Sequence, residues 1–105
     1  MTYLKEMNYY HVYILRCSDG SYYTGITNDI ERRLIEHQSG ENPRCYTYKR
    51  RPVQLVFNEV FNDVNQAIAF EKQVKGWRRE KKDAIINGHW DLLPELSKAK
   101  KGLSS

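Results

Sequence analysis

Residues 9 to 26 constrain this 105-residue chain more than any other stretch. Tyr9 to Cys17 reads Tyr-Tyr-His-Val-Tyr-Ile-Leu-Arg-Cys, aromatic and β-branched nearly throughout, and predicts a strand. Ser18-Asp19-Gly20 follows as a hairpin signal, and Tyr22 to Ile26 returns as a second strand. Loop length then fixes the pairing. A three-residue loop with Gly20 in the left-handed bulge position sets Cys17 opposite Ser21, Leu15 opposite Tyr23 and Tyr13 opposite Gly25. Tyr13 and Tyr23 would share one sheet face as diagonal neighbours, and Gly25 would leave open space beside the Tyr13 ring. A two-residue loop would slip the register and put the two phenols on opposite faces. The ordinary role of such strand tyrosines is core filling with an edge hydroxyl.

Further on, the pattern predicts a helix from about Asp29 to Gln38, with Asn28 as N-cap, Glu31 three residues later and a stop near Gly40. A polar loop spans 40–52, and Val53 to Phe61 reads as a third strand. Asp63, with Gln66 in the partner position, caps a helix over Val64 to Lys75 that ends at Gly76. A third helix runs from about Arg78 to Ile86, Asn87-Gly88 stops it, and Trp90 to Leu96 is placed to fold back onto the core. The order β-β-α-β-α-α predicts an α/β (α+β) domain: a three-stranded, mostly antiparallel sheet flanked by helices. The first strand is apolar on both faces, which suits a sheet covered on both sides. One domain over 8–92 is expected, with 1–7 as an N-terminal extension and 93–105 as a polar, basic tail.

Hydrophobic residues at 40% and charged residues at 29% are ordinary for a globular domain. No apolar run approaches the roughly 18–20 residues of a membrane span, and the mixed N-terminus does not read as a secretion signal. The expected location is the cytoplasm, with no membrane partner. A net charge of +4 permits a polyanionic partner without requiring one. Cys17 and Cys45 are too few for a disulfide framework. A zinc-stabilised interaction domain using them with some of His11, His37 and His89 ranks low, because there is no Cys-x-x-Cys pair and the ligands are scattered.

Charged groups stand in positions that a plain core would fill with apolar ones. Ile30, Arg33, Leu34 and His37 follow the i, i+3, i+4, i+7 spacing of an inward helix face, while Glu31, Arg32 and Glu36 point elsewhere. Each alone has a bland account, a snorkelling arginine or a satisfied histidine; two together suggest a site. The second helix repeats the pattern with Ala67, Phe70, Glu71 and Val74. A carboxylate there is costly unless paired or metal-bound. A structural pair with an arginine such as Arg33, and a role as divalent-metal ligand, are equally compatible with the spacing.

His11-Val12-Tyr13, nine residues, then Tyr23-Thr24-Gly25 resembles the signature of the GIY-YIG nuclease family, specifically its small stand-alone bacterial members. Arg33, His37 and Glu71 continue the match. His11 and Thr24 depart from the signature but leave the tyrosines and Gly25 in place, and Asn87 is the nearest counterpart of a late family asparagine. The resemblance implies a metal-dependent endonuclease that hydrolyses phosphodiester bonds in DNA, with RNA not excluded, using one Mg²⁺ or Mn²⁺ ion. It implies Tyr13 as general base or water-positioning group, Tyr23 as an orienting phenol, Arg33 as transition-state cation, His37 as a hydrogen-bond or proton-transfer partner and Glu71 as metal ligand. Arg33 and the metal are expected to lower the pKa of a phenol that is otherwise a poor base. Selectivity for DNA structure, in repair or recombination, would suit so small a domain.

Two basic clusters fit a nucleic-acid track: Lys49, Arg50 and Arg51, interleaved with Tyr46 and Tyr48, and Lys75, Arg78 and Arg79 beyond the second helix. A solvated helix face accounts equally for the second cluster. The alternative reading is a non-catalytic nucleic-acid-binding module on the same fold. Completeness of the residue set favours the enzyme.

Overall fold

A computed structural model of the protein describes residues 9–94 and 96. The expected N-terminal extension and residues 97–105 of the expected tail lie outside the described residues. The elements are β1 (Tyr10–Arg16), β2 (Tyr22–Thr27), α1 (Ile30–Ser39), β3 (Gln54–Phe61), α2 (Val64–Lys75) and α3 (Arg79–Ile86), with short 3₁₀ turns at Tyr48–Arg50 and Trp90–Leu92. This is the β-β-α-β-α-α order. The sheet runs β2-β1-β3 and is antiparallel at both pairings.

The hairpin adopts the three-residue loop. Cys17 N–H donates to the Ser21 carbonyl at 2.8 Å, Gly20 N–H donates to the Cys17 carbonyl at 2.9 Å, and Gly20 takes φ +85°. That left-handed backbone is why glycine sits there. Leu15 accordingly faces Tyr23, and Tyr13 faces Gly25. On the other side of β1 the register shifts between Ile14 and Leu15, a bulge that sets Asn58 opposite Tyr13 and Leu55 opposite Leu15.

Central strand β1 is covered on both faces, with Val12 to Leu15 at most 1% exposed. Tyr13, Leu15, Cys17 and Val53 form one core cluster, packed against Tyr23, Leu55 and the α1 residues Ile30 and Leu34. Ile14, Val74 and Ile85 form the other, joined by Phe57, Phe70, Trp77 and Leu93. Trp90 folds back onto Phe57 and Phe70, with ring centroids 5.9 and 6.2 Å away.

The cap of α1 lies one residue later than the sequence suggests. Asp29 accepts the Arg32 N–H at 3.1 Å, and its own N–H donates to Thr27 Oγ1 at 3.1 Å. Thr27 thus closes a turn of its own, which pushes the helix start past Asn28 and leaves no capping box with Glu31. Gly40 ends α1 at φ +71°. The 40–52 loop returns under a clamp: the Gln38 amide donates to the Val53 carbonyl at 2.6 Å and accepts the Val53 N–H at 3.0 Å. Arg51 donates to the Tyr48 carbonyl at 2.8 Å and the Gln38 carbonyl at 3.3 Å.

Candidate active site

Register and helix phase together bring four side chains to one face of β1 and β2. Tyr13 and Tyr23 lie on the same face, with ring centroids 6.3 Å apart. The His37 ring meets Tyr23 edge-on at 5.1 Å. The Tyr13 hydroxyl and His37 Nε2 are 3.0 Å apart, both groups buried. Gly25 is what allows this. A Cβ there would stand 2.6 Å from Tyr13 Cζ, inside the ring's own volume.

Second partners fix the proton positions. His37 Nδ1 lies 2.8 Å from Thr47 Oγ1, and the Thr47 hydroxyl donates to Cys45 Sγ at 3.4 Å. With its one proton turned to sulfur, the Thr47 oxygen accepts from Nδ1–H. Nε2 is then the acceptor, and the Tyr13 proton points at it. Burial and the nearby Arg33 charge depress the His37 pKa to about 4, so the ring is neutral at physiological pH.

Burial raises the pKa of Tyr13 to about 12, outweighing the Arg33 charge that favours its phenolate. The resting site therefore holds a protonated phenol. Burial alone would weaken the Arg33 charge; hydrogen bonds to Glu36 and Tyr13 more than compensate and hold it on.

Glu36 does not point away as its helix position suggested. It accepts from Arg33 Nη1 at 3.0 Å and lies near Arg32 at 3.7 Å. It, and not Glu71, is the carboxylate partner of Arg33. Glu71 is 8% exposed on α2, which lies across β2 and β1. Its Oε2 pairs with Lys75 Nζ at 2.8 Å, and the Tyr23 phenol adds to the field that raises the Lys75 pKa, after the Glu71 hydrogen bond itself. Among the described residues no hydrogen bond or ion pair links Glu71 to Arg33, Tyr13 or Tyr23. No group of three or more His, Cys, Asp and Glu side chains that could hold a metal ion forms among the described residues either.

Nothing in the sequence points to Thr47, which sits in a loop without periodicity, and Cys45 beside it enters only the zinc reading. Burial would raise the Cys45 pKa, yet the Thr47 hydroxyl and N–H, Arg33 and Tyr23 bring it below the usual thiol range. Tyr46 stacks on Tyr23 at 6.3 Å, and the Arg50 guanidinium lies 3.8 Å from the Tyr46 ring centre.

The basic residues divide into two kinds. Arg50 bonds Asp19 at 3.1 Å and the Tyr46 carbonyl at 2.8 Å. Arg79 donates to the Gly20 carbonyl at 2.7 Å and covers the Tyr22 ring at 4.0 Å. These two guanidiniums grip the hairpin turn, and Arg51 holds the 40–52 loop. Lys49 and Lys75 are exposed, and half-buried Arg78 lies 3.5 Å from Glu80. Asn87 closes α3, its N–H on the Asp83 carbonyl at 3.0 Å.

Fold and side-chain placement together define the class, a GIY-YIG domain, and the comparisons agree. The family model described as the GIY-YIG catalytic domain matches residues 9–83. The chain is 43% identical over 81 residues to the UPF0213 protein SSP2268 of Staphylococcus saprophyticus, covering 77% of this chain and 98% of that one. It is 45% identical over 85 residues to the UPF0213 protein HQ_3675A of Haloquadratum walsbyi, covering 81% and 94%. Among solved structures it resembles the UPF0213 protein BH0048 of Bacillus halodurans, with TM-score 0.51, 40% identity and coverage of 75% and 83%. The protein EF2693 of E. faecalis gives TM-score 0.55 at 36% identity and the same coverage. This chain belongs to the GIY-YIG family. Such a domain belongs to a nuclease superfamily and implies a nucleic-acid substrate. Among the described residues no helix is long and apolar enough to cross a membrane.

Proposed function

We infer that the protein is a metal-dependent endonuclease that hydrolyses phosphodiester bonds in DNA, acting in the cytoplasm on branched or flapped structures of the kind met in repair or recombination. The observation that carries this reading is the convergence of Tyr13, Tyr23, Arg33 and His37 on one face beside Gly25. Two phenols, an imidazole and a guanidinium are the kinds of group that bind a water and a phosphate.

With its proton directed at His37 Nε2, the Tyr13 oxygen presents lone pairs to an attacking water. Moving that proton onto His37, from about 12 to about 4, climbs on the order of 10 kcal/mol in the resting site. Tyr13 therefore acts first as a water-positioning group. Water attacks phosphorus, the bond to the leaving oxygen breaks, and the water proton ends on that oxygen. Arg33, held charged by Glu36, faces the charge that builds on the phosphorane. Tyr23 orients a phosphate oxygen.

Glu71 is the residue to hold Mg²⁺ or Mn²⁺. A buried carboxylate whose partner is a largely exposed lysine fits a hard cation that completes its shell with water and phosphate oxygens. Bound there, such an ion would supply Lewis-acid polarisation of the phosphate. Lys49, Lys75 and Arg78 would lie along the DNA backbone, with Arg50, Arg51 and Arg79 adding charge while they hold the loops.

The alternative, a binding module without chemistry, draws on two observations: the Tyr13 phenol has its pKa raised to about 12, and Glu71 is already ion-paired with Lys75. Incubation with flapped, branched and single-stranded DNA in Mg²⁺ or Mn²⁺ separates the two. The enzyme reading expects ion-dependent cleavage that Glu71→Ala abolishes. Binding without cleavage in either metal establishes the module.

A further inference from the structure

A cavity of about 240 Å³ opens between the C-terminal half of α1 and the 40–48 loop. Arg33 and His37 form one wall, and Glu36, Glu41, Asn42 and Tyr48 are among the others. Tyr13 and Tyr23 are not in its lining. His37 presents Nε2 to Tyr13 and Nδ1 to Thr47, another lining residue, so the cavity lies on the far side of the imidazole from the phenol.

Size and charge limit the occupant. At about 30 Å³ per water the space holds on the order of eight waters, below the pockets that take drug-sized ligands. A planar heterocycle fits, whereas a heterocycle with its sugar and phosphate does not. Glu36 and Glu41 against Arg33, which Glu36 already engages, give the lining a net negative charge and disfavour a phosphate. Exposed Glu41, one of whose oxygens takes the Ser39 hydroxyl at 3.5 Å, keeps its other oxygen for an N–H donor, and Asn42 Oδ1 accepts the Arg44 N–H at 3.0 Å with a second lone pair to spare. Tyr48, backed by the Arg51 guanidinium at 4.7 Å, supplies an aromatic wall.

We propose that this cavity is a subsite for one unstacked nucleobase next to the scissile phosphate, selecting bases with an exocyclic amino group, cytosine above all, over thymine. The proposal rests on the nuclease reading for its substrate. Sharing Arg33 between the reaction centre and the cavity wall places a base beside the phosphate that Arg33 would contact. Carboxylate acceptors match the cytosine N4 donor, whereas thymine offers a carbonyl oxygen at that place. Extruded or single-stranded bases are read in such pockets by their hydrogen-bonding edge.

The test uses flapped oligonucleotides carrying C, A, G, T or an abasic nucleotide on either side of the cleaved bond. Cytosine is expected to be cut roughly tenfold faster than thymine or the abasic nucleotide. Glu41→Ala and Asn42→Ala should erase that difference without changing the abasic rate. In parallel, backbone amide shifts of the full chain are followed during titration with trinucleotides centred on C or T. Shifts over residues 40–48 with the C-centred probe, weaker with T, are expected whether or not anything is cleaved. Shifts without cleavage would retain the subsite and remove the nuclease. Cleavage with no base dependence, or no shifts at 40–48, would overturn the subsite and leave the nuclease standing.

Discussion

The Tyr13 hydroxyl meets His37 Nε2 at 3.0 Å, and His37 Nδ1 meets Thr47 Oγ1 at 2.8 Å, so a phenol on the central strand is tied through one imidazole to the 40–52 loop. The arrangement needs a neutral imidazole. Burial and Arg33 hold the His37 pKa at about 4, below its usual 6.5. As pH falls, the unfolded chain takes up the proton before the folded one does. The contribution of His37 to stability is therefore full above about pH 6.5 and is lost as pH falls toward 4. That loss amounts to about 3 kcal/mol. Thermal unfolding across this window should show the decline in the wild type, and His37→Gln should flatten it.

Gly25 faces Tyr13 across the β1–β2 ladder, and any side chain there enters the phenol ring. Gly25→Ala should destabilise the fold by about 1–3 kcal/mol through overpacking. It should also cut activity far more than that loss explains, because the displaced ring abandons His37. Melting temperature and cleavage rate, measured on the same sample, separate the two effects.

Glu71 is nine-tenths buried and paired with a lysine, which makes its response to metal measurable without any substrate. A ligand that binds only the folded state stabilises it by about 2.7 kcal/mol at a hundred times its Kd. Mn²⁺ should raise the melting temperature of the wild type, and Glu71→Gln should remove most of the rise. An equal rise in both proteins would place the ion elsewhere.

Thr24, where the family signature carries an isoleucine, is 3% exposed, and its hydroxyl has no hydrogen-bond partner among the described residues. Thr24→Val removes the orphaned oxygen at nearly constant volume. A gain of about 1 kcal/mol is expected, or about 4–8 °C in melting temperature for a domain of this size. Differential scanning calorimetry reads it directly.

The parts of the site that could be read from sequence are those governed by periodicity. The two-residue strand repeat and the three-residue loop dictate that Tyr13 faces Gly25, and the 3.6-residue helix repeat carries Arg33 and His37 inward. The unread parts depend on long side chains and on a loop. A helical wheel puts Glu36 outside, but the Arg33 guanidinium reaches across to it from three residues away. Thr47 and Cys45 belong to a segment without a period, and long-range contacts such as the Gln38–Val53 clamp, the Arg51 bonds and the His37–Thr47 pair position them. Basic residues in sequence likewise do not reveal that Arg50 and Arg79 close on the hairpin turn, at Asp19 and at the Gly20 carbonyl. For Tyr13 the neighbouring cation is visible in the sequence, whereas the depth of burial that raises its pKa to about 12 is not.

Tyr13→Phe removes one oxygen and leaves the ring that fills the core, so it asks directly whether this phenol takes part in chemistry. The measurement is the single-turnover cleavage rate of a flapped DNA in Mg²⁺, with melting temperature as the control for folding. A fall of about 10²-fold or more with the fold intact is the predicted result. A variant that cleaves as fast as the wild type would contradict the assignment of this face as the reaction centre.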